Sequence, residues 1–327
     1  MEKNSFIERF ISWRTAVSFL IPICVIAFFI FKFNIDLRST LDNMLEANLT
    51  VYLLALFLYY TTFPIRAIRW KIIINNAVDK FSKIYIPNIL LLSEIIMIGW
   101  LGNSIAPLRL GDAYRVYLFS RDSKADISFS SATVIAERIT DLFVVLPVLL
   151  GFGLLFILEQ GDYDISNSII ILLPLIFLSV LLAAIFLIFR LRRILSTIIP
   201  RKVANASVKI KDISLSSLRR TRILMLLSVG AWATESIRLW LVSESVGVEL
   251  GMPMIIFASV FNAILSSVPI VPGGLGILEP GLVGVLMLRT SRASAVSLVL
   301  LDRSISYLSV IFFGALALAF RYITGRH

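Results

Sequence analysis

The chain has 327 residues, 58% of them hydrophobic and 16% charged, and carries a net charge of +10. So apolar a composition excludes a soluble globular domain. The basic residues cluster in short segments between apolar runs, as the positive-inside rule describes, which argues against a nucleic-acid partner and for membrane lipids, anionic ones above all.

Apolar stretches of roughly 18–25 residues recur from end to end, each long enough to cross a bilayer. The fold class is therefore an all-α polytopic membrane protein. Cys24, the only cysteine, lies within the first apolar run, and His327 is the only histidine. Intrachain disulfides, Ser-His-Asp triads, Cys-His pairs and histidine-built metal sites are thereby removed. No nucleotide-binding loop is present, so no cofactor is expected.

In chain order, the segment 1–14 carries Lys3, Arg9 and Arg14 and reads as cytoplasmic. A first span over 16–33 leads to the acidic loop "NIDLRSTLDNMLEAN", read as external. A second, 49–65, returns to the basic "PIRAIRWKIIINNAVDKFSK". The apolar run 84–106 is then followed by Arg109, Arg115, Arg121 and Lys124, so positive charge flanks it on both sides. A full crossing would leave one basic cluster outside. A re-entrant hairpin, broken at "NSIAPLRLGD" where Pro107 and Gly111 end a helix, removes the conflict. A third span over 131–157 exits to "EQGDYD", and a fourth over 168–189 returns to the most basic stretch of the chain. A fifth over 222–243 precedes a second broken segment, 253–289, with its break at "PIVPGGLG", and a sixth covers 295–320. The expectation is six transmembrane helices plus two re-entrant hairpins in the cytoplasmic membrane, with both termini cytoplasmic.

The two breaks belong to a longer correspondence. One offset of 165 residues sets Pro107 on Pro272, Leu110 on Leu275, Gly111 on Gly276, Glu137 on Asp302 and Arg138 on Arg303. Upstream, "AIRW" (67–70) resembles "SIRLW" (236–240) with a small shift. A single membrane domain, 1–327, would then hold two halves, 16–157 and 168–320. Each half has three crossings, an odd number, so the second is inverted. Inverted repeats with discontinuous helices are a signature of alternating-access carriers.

The phrases "PLRLGDAYRVYLFSR", "ATVIAERITDLF", "VPGGLGILEPGLVGVL" and "LLDRSISYL" resemble the lysylphosphatidylglycerol synthase transmembrane-region family over about residues 50–315. The resemblance implies a flippase-like fold. Because the chain ends at His327, it is expected to be a stand-alone member without the aminoacyl-transfer domain, and not an enzyme.

Candidate site residues follow from charge and backbone freedom. Arg109, Asp112 and Arg115 flank the first break, where they either grip a phosphate or snorkel to headgroups. Glu137 and Arg138, like Asp302 and Arg303, are intramembrane charges that either hold helices together or meet substrate. Gly273, Gly274 and Gly276 let backbone approach a ligand. Glu279 either caps a helix or contributes to the site, Glu235 and Arg238 read as a structural pair, and Glu94 and Asp141 are candidates for proton coupling. The function expected is translocation, as flippase or scramblase, of an anionic phospholipid or polyprenyl-phosphate-linked lipid. The alternatives are a polyprenyl-phosphate-sugar glycosyltransferase using Asp36, Asp42 or Glu46 as base, and a non-transporting membrane subunit.

Overall fold

The computed structural model describes residues 37–78, 84–160, 210–266 and 271–325. The expected spans at 16–33 and 168–189, with Cys24 and His327, lie outside them. Among the described residues the regular structure is helical throughout. In chain order the helices are α1 (Leu37–Leu45), α2 (Leu49–Ala77), α3 (Ile89–Ile105), α4 (Leu110–Ser123), α5 (Ile127–Gln160), α6 (Thr221–Ser245), α7 (Met252–Ser266), α8 (Leu278–Leu286), α9 (Arg292–Arg303) and α10 (Val310–Ile323). Short 3-10 turns at Pro107–Arg109 and Pro272–Gly274 interrupt the two hairpin segments, and a π-helical stretch, Ser304–Ser309, joins α9 to α10.

Local chemistry sets several helix starts. The Asn48 side chain accepts from Thr50 N–H at 3.0 Å ahead of α2, and Asn88 accepts from Leu91 N–H at 2.8 Å ahead of α3. Ser291 does the same for Ser294 N–H at α9. Each satisfies a backbone donor that the helix itself leaves open.

Among the described residues three helical stretches are long and apolar enough to cross a membrane: Leu49–Ala77, Ile127–Phe156 and Arg292–Ile323. They hold the spans expected at 49–65, 131–157 and 295–320. Beyond the span expected at 49–65, α2 runs on through Arg66 and Arg69 to Ala77; both arginines are buried, and Arg69 is neutralised by carboxylates described below. Helix α6 has the length for the span at 222–243, but with Glu235 and Arg238 inside it does not reach the apolarity of the other three.

On α2 the sequence separates two faces at helical spacing. Ala55, Tyr59, Phe63, Ala67 and Trp70 are buried, while Leu53, Leu54 and Phe57 are exposed. In a membrane the exposed leucines and phenylalanine are lipid-facing surface, and small residues at the inner face let helices approach.

The chain forms two compact units. The first takes in the described parts of 1–60, 96–114 and 235–327, and the second those of 61–95 and 115–234. Each unit thus draws on both expected halves. In the first, α1 packs on α9, where Ser297 donates to the Thr40 carbonyl at 3.1 Å. Here α7 turns back on α8, with Gly281 set against Leu265. The break after α3 likewise reverses the chain: a side chain on Gly111 would lie 1.9 Å from the Gly99 carbonyl oxygen and 2.4 Å from Asn103 N. In the second unit the Trp70 ring lies against Phe119, tilted 50° to it, and donates to Thr133 at 3.1 Å.

Candidate functional site

The two breaks share their backbone over four residues, 106–109 and 271–274, and part at Leu110 (ψ −20) and Leu275 (ψ 136). Ala106 and Val271 are extended, at φ −118, ψ 140 and φ −121, ψ 138. Proline follows in both. Leu108 (φ 59, ψ 21) and Gly273 (φ 57, ψ 16) then enter the left-handed region, and Arg109 (φ 54) and Gly274 (φ 70) continue it. These are the pairs that the 165-residue offset aligns. Both breaks lie in the first unit, and they pack against each other.

Around the second break the chain is held from α9 and the π stretch. Arg303 donates to the Gly273 carbonyl at 3.0 Å, and the Tyr307 hydroxyl donates to the Ser104 carbonyl, at the end of α3, also at 3.0 Å. A side chain at Gly273 would sit 2.5 Å from the Tyr307 ring, so glycine is required there for space as well as for φ. Glu279 accepts from Gly276 N–H at 2.6 Å and pairs with Arg303 at 2.9 Å. Its carboxylate therefore ties the first turn of α8 to the break and to Arg303.

At the first break Arg109 pairs with Asp112 at 3.0 Å, and Asp112 exchanges hydrogen bonds with Asn103 through its backbone N–H and one carboxylate oxygen. Arg109 and Asp112 keep 28% and 22% of their side-chain surface exposed, so this pair is reachable where the buried pairs are not.

Each unit also contains a buried acid–arginine cluster. In the second unit Arg115 binds Glu137 through two nitrogens, at 2.5 and 3.3 Å, with its guanidinium 3.9 Å from the Trp70 ring centre. Arg69 reaches Glu137 at 3.1 Å and Asp141 at 2.5 Å, and donates to Ser228 at 2.7 Å. Arg138, at the edge, stands 3.8 Å from Asp141. In the first unit Arg238 pairs with Asp302 and, at 3.2 Å, with Glu235, beneath the Tyr59 ring. Removing such charges from water is expensive, so each must be matched by partners within the protein.

Arg115 was placed by the sequence at the break, but it belongs to the Glu137 cluster. Glu94 is half-buried on α3. Arg69 was missed. It is fully buried, yet in sequence it sits in a run, "PIRAIRWK", that any cytoplasmic flank would show. The trace that could have found it was the likeness of "AIRW" to "SIRLW": the arginines of those phrases, Arg69 and Arg238, each bind the acid of the corresponding acid–Arg pair. Asn262, whose amide faces Asp302 at 3.4 Å, left no sequence signal.

The profile of the lysylphosphatidylglycerol synthase TM region matches residues 15–314. The chain is similar to UPF0104 membrane proteins of three archaea. That of Methanocaldococcus jannaschii is 28% identical over 221 residues, covering 65% of this chain and 91% of that protein. That of Pyrococcus horikoshii is 27% identical over 297 residues, covering 83% and 87%. That of Methanothermobacter thermautotrophicus is 21% identical over 260 residues, covering 73% and 75%. The profile match takes in both breaks and both acid–arginine clusters, and the chain belongs to the lysylphosphatidylglycerol synthase transmembrane-region family.

Proposed function

We propose that this protein is a lipid translocase of the cytoplasmic membrane, moving an anionic phospholipid or polyprenyl-phosphate-linked lipid by alternating access. In this reading the chain has six crossings and two re-entrant hairpins in an inverted repeat, with both termini cytoplasmic. It acts as a carrier and not as an enzyme. The observation that carries the reading is the pair of breaks, alike in backbone and packed together. A carrier open to one side at a time needs one interrupted helix per side, and interrupted helices present N–H groups and positive helix ends to an anion.

The residues divide the work. Arg109 is the partly exposed cation at the first break and meets the headgroup phosphate, its planar fork suiting two phosphate oxygens. Asp112 holds that guanidinium in place until the phosphate arrives. At the second break the Glu279 carboxylate already occupies Arg303 and the Gly276 N–H, so a phosphate binding there must displace it. The Glu137 and Asp302 clusters each match buried charge within their own unit.

The test is reconstitution into liposomes carrying labelled anionic phospholipid, zwitterionic phospholipid or polyprenyl phosphate. Transbilayer movement of at least one anionic lipid should exceed that in protein-free liposomes. Equal rates with and without protein for every lipid would overturn the proposal.

A further inference from the structure

Glu279 stands where an incoming anion would stand at the second break. Its Oε2 accepts the Gly276 N–H at 2.6 Å, and its Oε1 lies 2.9 Å from Arg303 Nε. A backbone donor and a guanidinium converging on two oxygens suit a phosphate diester as well as a carboxylate. The fit is close in distance and poor in direction. Arg303 Nε and Glu279 Oε1 are both buried, and neither has a hydrogen-bond partner among the described residues. The guanidinium is held from other sides: Nη2 donates to the Gly273 carbonyl at 3.0 Å, and the Tyr307 ring centre lies 4.6 Å away. Arg303 therefore keeps its place when the carboxylate leaves.

A swap of anions alone does not balance. The Arg303 and Glu279 side chains are only 10% and 14% exposed. Once a phosphate holds the guanidinium, the displaced carboxylate is a buried charge with no counter-ion, which is costly. Uptake of one proton from water removes that cost. An O–H bond forms on the carboxylate, and the site again holds one cation and one anion. Few charged groups face Glu279. It is the titratable residue of α8, and α7, packed on α8, carries none. From α9 and the π stretch come Arg303 and Tyr307, while Asp302 is turned to Arg238. The first break, packed on the second, brings Arg109 and Asp112, which pair with each other.

We infer that Glu279 is the resident anion of a proton-linked site for a phosphate diester. The diester takes over Arg303 and the Gly276 N–H, and Glu279 picks up one proton as it is displaced. An anionic headgroup and its proton thus enter together and add no net charge to the site. The inference rests on the translocase reading and supplies its coupling. It is read from binding and not from lipid movement, so the two can fail separately.

The experiment is calorimetric titration of the purified full chain in detergent with dihexanoylphosphatidylglycerol, in buffers of low and high ionisation enthalpy near neutral pH. The wild type should take up about one proton per lipid bound, and its affinity should fall about tenfold per pH unit while Glu279 is ionised without lipid and protonated with it. Glu279→Gln, which keeps an acceptor for the Gly276 N–H, should bind with no proton uptake and with an affinity that does not change with pH. Glu279→Gln combined with Arg303→Gln leaves no unmatched charge and should lose binding. Dimethyl phosphate, the same diester without acyl chains, should bind at least about tenfold more weakly. Lipid binding by the wild type without proton uptake would overturn the inference and leave translocation standing. So would full proton uptake by Glu279→Gln, undiminished binding by the double variant, or dimethyl phosphate binding as tightly as the lipid. A wild type that moves lipid in liposomes but binds none in the titration would also overturn it, and one that does neither would overturn both readings.

Discussion

Leu108 and Arg109 hold left-handed dihedrals that their counterparts, Gly273 and Gly274, adopt freely. The strain at a non-glycine residue is about 1–2 kcal/mol. Leu108 is 69% exposed and gives up little packing if removed. Leu108→Gly should therefore stabilise the chain by about 1 kcal/mol, read as a higher unfolding midpoint in detergent. The buried pairs behave oppositely. Arg238→Leu leaves Asp302 without its guanidinium and should cost about 3–5 kcal/mol, whereas Arg238→Leu combined with Asp302→Leu should recover most of that loss. If the double variant melts near wild type yet fails to move lipid in liposomes, the pair serves transport as well as architecture.

At the scale of elements, the π stretch Ser304–Ser309 is fastened by tyrosines of α2. Tyr52 shares a hydrogen bond with Ser304 at 2.6 Å, Tyr60 with Ser309 at 2.8 Å, and Tyr59 donates to the Ser306 carbonyl. A π turn absorbs one extra residue, so this stretch turns the chain about as far as an α-helical segment one residue shorter. Deleting Leu308 would let the segment close as ordinary α-helix and leave α10 facing nearly as before. Gly314, which admits Leu101 so closely that a side chain would lie 2.8 Å from Leu101 Cβ, would keep its place. The deletion should lower the unfolding midpoint modestly, by displacing the serines that the tyrosines hold, while Leu308→Ala, an exposed position, should change it less. The hairpins make a topological prediction. In a Cys24→Ser background, Asp126→Cys, just after α4, should label from the cytoplasm, and Arg292→Cys, at the start of α9, from the opposite face. Labelling of both from one side would rule out hairpins that enter from opposite faces.

At the scale of the molecule, what was legible in the sequence was what acts locally. Proline and glycine interrupt a helix wherever they fall, so both breaks could be placed to within a few residues. Apolar length marked the spans at 131–157 and 295–320 for the same reason. Partners of buried charges were not legible, because Arg69 meets acids about seventy residues away, and nothing in a basic flank distinguishes a snorkelling arginine from a buried one. Arg109 remains the accessible cation at the breaks, and transport should report on it. Arg109→Gln should purify folded and slow the movement of anionic lipid several-fold more than that of zwitterionic lipid, both measured in one liposome preparation. Equal anionic transport by wild type and variant would show that this arginine only anchors the hairpin to headgroups.

The likeness of the two breaks has a direction. Writing glycines at 108 and 109 puts permissive residues where the backbone is already left-handed, and the first hairpin should keep its shape. The reverse exchange meets solid matter. A leucine at 273 would enter the Tyr307 ring, and an arginine at 274 would start its side chain 3.0 Å from Ser266 Cα. If the halves descend from one ancestral segment, the glycine form can serve in both places and the Leu-Arg form in only one. The first half could then have diverged from a glycine-bearing ancestor without passing through a broken fold, and the second could not have travelled the opposite road.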